Sequence, residues 1–317
     1  MGAAQFDRAR FFSRASFEGT SFAATAELSL TEFNDDADFS HCVFGACADF
    51  SYAKFNKNVD FSSVTFRDSV QFLAGFLKWN RTIRTFSVHS FVNFQEARFD
   101  KPAQVSFQSV FLRPNWFIGI DPREFTFSNV HWYPQKLSEE ITQRELRKLP
   151  YFYQLLEKTC WDLSKNREED SCYDEASKFR YWAFDLRRRS HFLGLAFWRL
   201  DWWYWAASGY GERTIRAFVT LLFIWFGFAG LYTRLDFAHS KPTTAIERQI
   251  SESQQHVAST RLRFPDAIAL SLQILLLESP DPAPVSFRGN MLARLEKLLG
   301  PVQAALFALA VRRKFMR

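Results

Sequence analysis

Large apolar residues recur along the first part of the chain at alternating steps of five and six. From Phe6 the steps fall on Phe11, Phe17, Phe22, Leu28, Phe33, Phe39, Phe44, Phe50, Phe55, Phe61, Phe66 and Phe72. They continue through Leu77, Ile83, Val88, Phe94, Phe99, Val105, Val110, Trp116, Asp121, Phe127 and Trp132, where Asp121 alone is polar. An α-helix repeats every 3.6 residues and a strand every two, so neither explains the interval. Two residues before most of these positions stands a small side chain: Ala4, Ala9, Ala15, Ala26, Ala37, Cys42, Ala48, Ala53, Val59, Val64, Val70, Ala97 and Ala103. In extended chain, residues two apart share a face. Each unit therefore points one small and one large side chain inward, then turns a corner. A fixed period held this long marks a stacked repeat. The 37 phenylalanines among 317 residues fit such an array better than an ordinary mixed aliphatic core.

The stretches ADFSYAKF (Ala48–Phe55) and AQFDRARF (Ala4–Phe11) resemble the pentapeptide-repeat family, whose units read roughly A-(D/N)-(L/F)-x-x. The resemblance covers roughly residues 3–133. It implies a right-handed quadrilateral β-helix over 1–133. One extra residue in every second unit lengthens the coil from 20 to 22 residues. Strict repetition then predicts a vertical ladder Phe17–Phe39–Phe61–Ile83–Val105–Phe127 and about six coils ~4.8 Å apart. Small partners fit less well near Arg81, Phe86, Pro114 and Phe125, so the later coils should be less regular. Some members of the family mimic DNA with a strongly acidic surface. Here residues 1–133 hold 13 Lys/Arg against 14 Asp/Glu, which argues against that role, and no nucleic-acid partner is expected. The outer face of the rod is left as a surface for a protein partner.

The two-and-five logic ends near Leu137. Residues 134–195 read as a helical connector: Leu146, Leu149, Phe152, Leu155 and Leu156 have helical spacing, and Pro150 starts or kinks a helix. Tyr173, Ala176, Phe179, Trp182, Ala183 and Leu186 form a second stripe. Asp174 and Glu175 near its start and Arg187–Arg189 near its end suit the helix dipole. The stretch DEASKF (Asp174–Phe179) resembles the helix that follows the β-helix in membrane-bound pentapeptide-repeat proteins.

The remaining chain points to a bilayer. Residues 196–211 form an aromatic segment with Trp198, Trp202, Trp203 and Trp205, which suits a helix at lipid headgroup level. Ile215–Tyr232 has 18 residues with one charge, Arg216, and is long enough to span. Phe264–Ser279 offers a run of only 11 apolar residues, Ala267–Leu277, and fits a re-entrant helix. Met291–Val311 supplies about 21 residues for a second span, kinked at Gly300–Pro301. Arg216 at the start of the first span, and Arg312 and Arg313 after the last, predict both termini in the cytoplasm of a bacterial inner membrane.

Span, short apolar hairpin and span resemble the two-span module of ion channels, which implies a channel-like domain over 212–317 and a homo-oligomer, four copies by that analogy. A potassium filter would need a glycine-rich strand, and LLLESPDPAP contains no glycine. Glu278 and Asp281 would form acidic rings in an oligomer and favour cations, and Gln303 would face either a pore or a neighbouring helix. The six histidines and four cysteines are scattered without metal spacing, and no phosphate loop or nucleophile elbow occurs. The reading is therefore a non-enzymatic, cofactor-free membrane protein with lipid and itself as partners. The alternatives are a membrane-anchored interaction scaffold and a membrane-disrupting effector, for instance in phage defence.

Overall fold

The computed structural model describes residues 2–74, 76–77, 81–82, 85–86, 91–133, 151–190, 200–238, 260–278, 283–284 and 286–315. The chain divides into two compact units, Met1–Leu193 and Gly194–Arg317. The connector helices thus belong to the same unit as the repeats.

The first unit begins with a parallel β-solenoid of about five turns. Its strands are mostly two residues long, and over the first coils each pairs with the fourth strand on, so four parallel ladders run along it. Ala4 pairs with Ala26, Ala26 with Ala48 and Ala48 with Val70 on one ladder. Ala15, Ala37 and Val59 align on another. Every second corner is closed by a hydrogen bond from an N–H to the carbonyl three residues back, as from Ala9 to Phe6, Cys42 to Phe39 and Ala53 to Phe50. In these turns Arg8, Gly19, Leu30, His41, Tyr52 and Ser63 take positive φ, between 53° and 69°. That turn takes the five-residue step, and the intervening corners take six. The alternation in the sequence is thus a record of two corner types.

Inside, Phe33, Phe39, Phe44, Phe50, Phe61, Phe66 and Phe72 are wholly buried. Rings on one ladder stack: Phe11 on Phe33 and Phe17 on Phe39 have centroids 4.9 Å apart, with planes within 5° of parallel. This distance matches the spacing of hydrogen-bonded strands, so the backbone ladder sets the ring ladder. Across the interior, opposing faces meet edge-on, Phe39 with Phe50 at 5.7 Å and Phe50 with Phe61 at 5.5 Å.

The strict ladder expected beyond Phe61 is not what forms. Repeats 22 residues apart give way to repeats 33 apart: Val59 pairs with Val92, and the ring above Phe61 is Phe94, at 5.1 Å. The added length equals two units, so it preserves the five-and-six phase while moving each residue to a different face. Ile83 and Val88 lie outside the described residues, and Phe86 stacks on Phe55. A second slip follows at Lys101–Gln104, where Pro102–Gln104 form a turn of 3₁₀-helix. Ala103 is exposed there, Val105 takes the small position opposite Val70, and Phe107 takes the large one opposite Phe72. Phe107 then stacks on Phe127. The irregularity expected near Pro114 and Phe125 is present, as Pro114–Phe117 is also 3₁₀.

Two helices follow, α1 (Phe152–Glu169) and α2 (Tyr173–Ser190). Residues 134–150, with Leu146, Leu149 and Pro150, lie outside the described residues. α1 closes the last coil. Asn166 Nδ2 donates to the carbonyls of Arg123 at 2.8 Å and Phe125 at 2.7 Å, and Arg167 Nη1 donates to Phe127 O at 3.0 Å. Leu163 and Phe179 join the solenoid core, and Phe179 meets Trp132 edge-on. An end that would otherwise present unpaired carbonyls is thereby satisfied.

The second unit holds α3 (Leu200–Ser208), α4 (Thr214–Tyr232), α5 (Phe264–Leu275) and α6 (Phe287–Phe315). α6 is one 29-residue helix with Pro301 in its interior. A three-stranded antiparallel sheet places Asp236–Ala238 between Thr260–Arg261 and Ala283–Pro284. Such short strands have no readable period.

Phe61→Ala should cost the solenoid about 3–5 kcal/mol, since it removes a ring with stacked neighbours on both sides, whereas Phe12→Ala, at a position 75% exposed, should cost about zero; denaturant unfolding of residues 1–193 compares them. Thiol labelling of the native protein should modify exposed Cys172 first and spare Cys42 and Cys160. Burial pushes the Cys42 thiol up to about 11, and its Sγ donates to Phe17 O; burial also raises Cys160.

Candidate functional site

In the second unit α6 packs in an inverted manner. α6 buries Gly289, Ala293, Glu296, Gly300, Gln303 and Ala310, a stripe at alternating steps of four and three residues, with one longer gap. Its large apolar residues face away: Leu295, Leu298, Val302 and Leu309 are exposed. α4 follows this only in part: it buries Ala217, Phe228, Ala229 and Tyr232 and exposes Ile215, Phe218, Val219, Phe223 and Phe226. α5 buries Ala267, Leu270, Ser271 and Ile274 and exposes Phe264 and Leu272. Small residues permit close helix approach: a Cβ on Gly300 would lie 3.1 Å from Leu275.

Polar groups in this unit find one another inside it. Glu296 is fully buried. The Tyr232 hydroxyl of α4 donates to Glu296 Oε2 at 2.5 Å. Ser271 Oγ of α5 lies against Glu296 Oε1 and, at 3.1 Å, against Trp225 O of α4. Trp225 Nε1 donates to Ile268 O. Two turns further along α6, Gln303 Nε2 donates to Ala207 O at 2.9 Å and Ala217 O at 2.8 Å, tying α6 to α3 and α4.

The turn between α3 and α4 is equally specified. Gly209, Tyr210 and Gly211 all have positive φ. Tyr204 Oη donates to Tyr210 O at 2.9 Å, and Arg313 Nη1 donates to the same carbonyl at 3.1 Å. Arg313 also pairs with Glu212 at 3.3 Å. The last turn of α6 is thereby fixed to the start of α4, and Gly211 leaves room: a Cβ there would meet Tyr204 Oη at 2.9 Å.

Of the residues singled out from the sequence, Glu278 is exposed just beyond α5. Asp281 and Trp198 lie outside the described residues. Gln303 is committed to the neighbouring-helix alternative, with its amide on two carbonyls of its own unit. Trp203 is half exposed, and Trp202 meets it edge-on at 5.1 Å. Arg216 stands over the Trp205 ring at 5.1 Å and donates to Trp205 O. Arg312 is exposed. Glu296 was missed. Its neighbours in LARLEKLL read as an ordinary charged surface, and the clue was its register with Gly289, Ala293, Gly300 and Gln303.

Among the described residues α4 alone is long and apolar enough to cross a bilayer by length and composition. Gly211→Ala should destabilise the second unit by about 1–3 kcal/mol, because it adds a left-handed penalty to a steric one; the midpoint of helix loss in denaturant reads it. Compared with family models, curated proteins and solved structures, the chain matches none.

Proposed function

We propose that residues 194–317 are embedded in a membrane and that copies of the chain assemble into a channel-like pore. The observation that carries this reading is the packing of α6 and α4: α6 buries Glu296 and Gln303 among glycines and alanines while Leu295, Leu298, Val302 and Leu309 stand exposed, and α4 exposes Ile215, Phe218, Val219, Phe223 and Phe226. Water would sort these residues the other way. A bilayer rewards this sorting, because lipid tails solvate Leu and Phe while close packing and hydrogen bonds hold the helices together. On this reading α6 is the second span despite its charges. Arg288, Arg294 and Lys297 lie in its first half and Arg312, Arg313 and Lys314 at its end, where long cationic side chains reach an interface. α5 is then the re-entrant helix, and the Trp202–Trp205 segment and Arg216 mark the headgroup level.

A single such unit encloses nothing, so conduction requires an oligomer, with four copies by analogy to two-span modules. Glu278, exposed after α5, and Asp281 would line its mouth and favour cations. The solenoid is read as a right-handed, four-sided pentapeptide-repeat β-helix on the cytoplasmic side of a bacterial inner membrane, offering its polar outer face to a protein partner. The internal use of Gln303 favours a second reading, in which the helices only anchor the solenoid as a scaffold.

Purified protein should float with liposomes and resist carbonate extraction. Those liposomes should pass monovalent cations, with Glu278→Gln lowering cation-over-anion selectivity several-fold. Flotation without conductance would support the anchored scaffold, and failure to float would remove both readings.

A further inference from the structure

The contacts around Glu296 contain one more oxygen pair than they have hydrogens to fill. Three close oxygen pairs are present: Tyr232 Oη with Glu296 Oε2, Ser271 Oγ with Glu296 Oε1, and Ser271 Oγ with Trp225 O. With Glu296 ionised, the hydroxyls of Tyr232 and Ser271 supply two hydrogens. Ser271 then faces two acceptors with a single proton, and one pair is left lone pair against lone pair. A proton on Glu296 Oε1 closes the count. The carboxyl donates to Ser271 Oγ, Ser271 donates to Trp225 O, and Tyr232 donates to Glu296 Oε2.

The surroundings agree with this count. Neither Lys nor Arg among the described residues pairs with Glu296. From α4 the titratable group facing it is Tyr232, and α5 contributes Ser271 alone. Of the other charged groups on or next to these helices, Arg234, Arg263, Asp266, Arg288, Arg294, Arg312, Arg313 and Lys314 are exposed, Arg216 lies over the Trp205 ring at the far end of α4, and Lys297 is half-buried beside Glu296 in sequence. The rest of the local core is Phe228, Ala229, Ala267, Leu270, Ile274 and Ala293. An unpaired carboxylate in such a place is costly, and an added proton removes the cost.

We propose that Glu296 is a proton-binding site that latches α5 to α4 and α6. Ser271 is the hinge pin: through one hydroxyl it touches a carboxyl on α6 and a carbonyl on α4. When the proton leaves, the carboxylate needs water, and α5, a helix of 12 residues, is the element whose displacement admits it. Glu278 follows α5 directly, so release of the latch would also move the acid at the end of that helix. The inference rests on the packing of the three helices and holds in detergent or bilayer alike.

The test uses the full-length protein. Infrared spectra should show a carboxylic-acid C=O band that vanishes on alkalinisation and is missing in Glu296→Gln. Hydrogen exchange of α5 amides, corrected for intrinsic rate, should accelerate tenfold per pH unit above that transition, the linkage of one proton. In Glu296→Gln the amide donates to Ser271 and its oxygen accepts from Tyr232, so α5 exchange should stay slow and independent of pH. Should that variant not fold, Ser271→Ala is the second probe, and its α5 should exchange fast at every pH. The proposal is overturned if no acid band depends on Glu296, or if α5 exchange in the wild type, or in Ser271→Ala, follows pH in a way that contradicts these outcomes. Failure of the protein to enter liposomes would remove the membrane reading and leave these results to stand.

Discussion

Stacking of identical rings at the spacing of hydrogen-bonded strands is the interaction on which the solenoid depends. Two-residue strands make too few hydrogen bonds to hold a sheet alone. The rings supply the remainder: each is about 4.9 Å from its ladder neighbours and meets the opposing face edge-on. A stacked aromatic pair contributes roughly 0.5–1.5 kcal/mol beyond the area it buries. Repeated along a ladder, that term makes phenylalanine the natural residue here, since a branched aliphatic at the same pitch would leave the centre of the coil unfilled. The same regularity aligns the outer face. Lys57 meets Asp35 one coil away, and Lys101 meets Asp68, each at 2.8 Å; each lysine holds its aspartate below the usual carboxylate range. These exposed pairs add little stability individually, but they show that the outer ladders are in register with the inner ones.

The second unit mixes its packing. α6 sets glycine, alanine, glutamate and glutamine against its neighbours and turns Leu295, Leu298, Val302 and Leu309 outward, while Phe228, Leu270 and Ile274 form a small apolar core beside Glu296. Side-chain hydrogen bonds tie the packed helices together: Gln303 to α3 and α4, Ser271 between α4 and α6, and Arg313 to the turn before α4. One chain thus carries two packing chemistries, one driven by removal of rings from water and one by close approach and polar pairing.

Much of the solenoid was legible in the residues because a corner forces a fixed interval between inward side chains. The interval was blind to one event. An insertion of two whole units beyond Phe72 leaves the spacing intact, so Ile83 read as the successor of Phe61 when Phe94 is. The slip at Pro102–Gln104 hid for a similar reason, since Val105 and Phe107 are both apolar. The short apolar helix α5 and the long apolar helix α4 were legible as runs of composition. Glu296 was not, because apolar content was the signal sought in α6, whereas its buried face is defined by smallness and polarity. Gln303 lay in that stripe too, and only the fold decided between its alternatives.

Lipid accessibility along α6 addresses the central claim most directly. Single spin labels would be placed at Ala293, Leu295, Leu298, Val302, Leu309 and Ala310 in a cysteine-free protein reconstituted in liposomes. The account expects high collision rates with oxygen, a lipid-soluble probe, at Leu295, Leu298, Val302 and Leu309, and low rates at Ala293 and Ala310. Collision with a water-soluble nickel chelate at the four leucine and valine positions, without the oxygen signal, would contradict it.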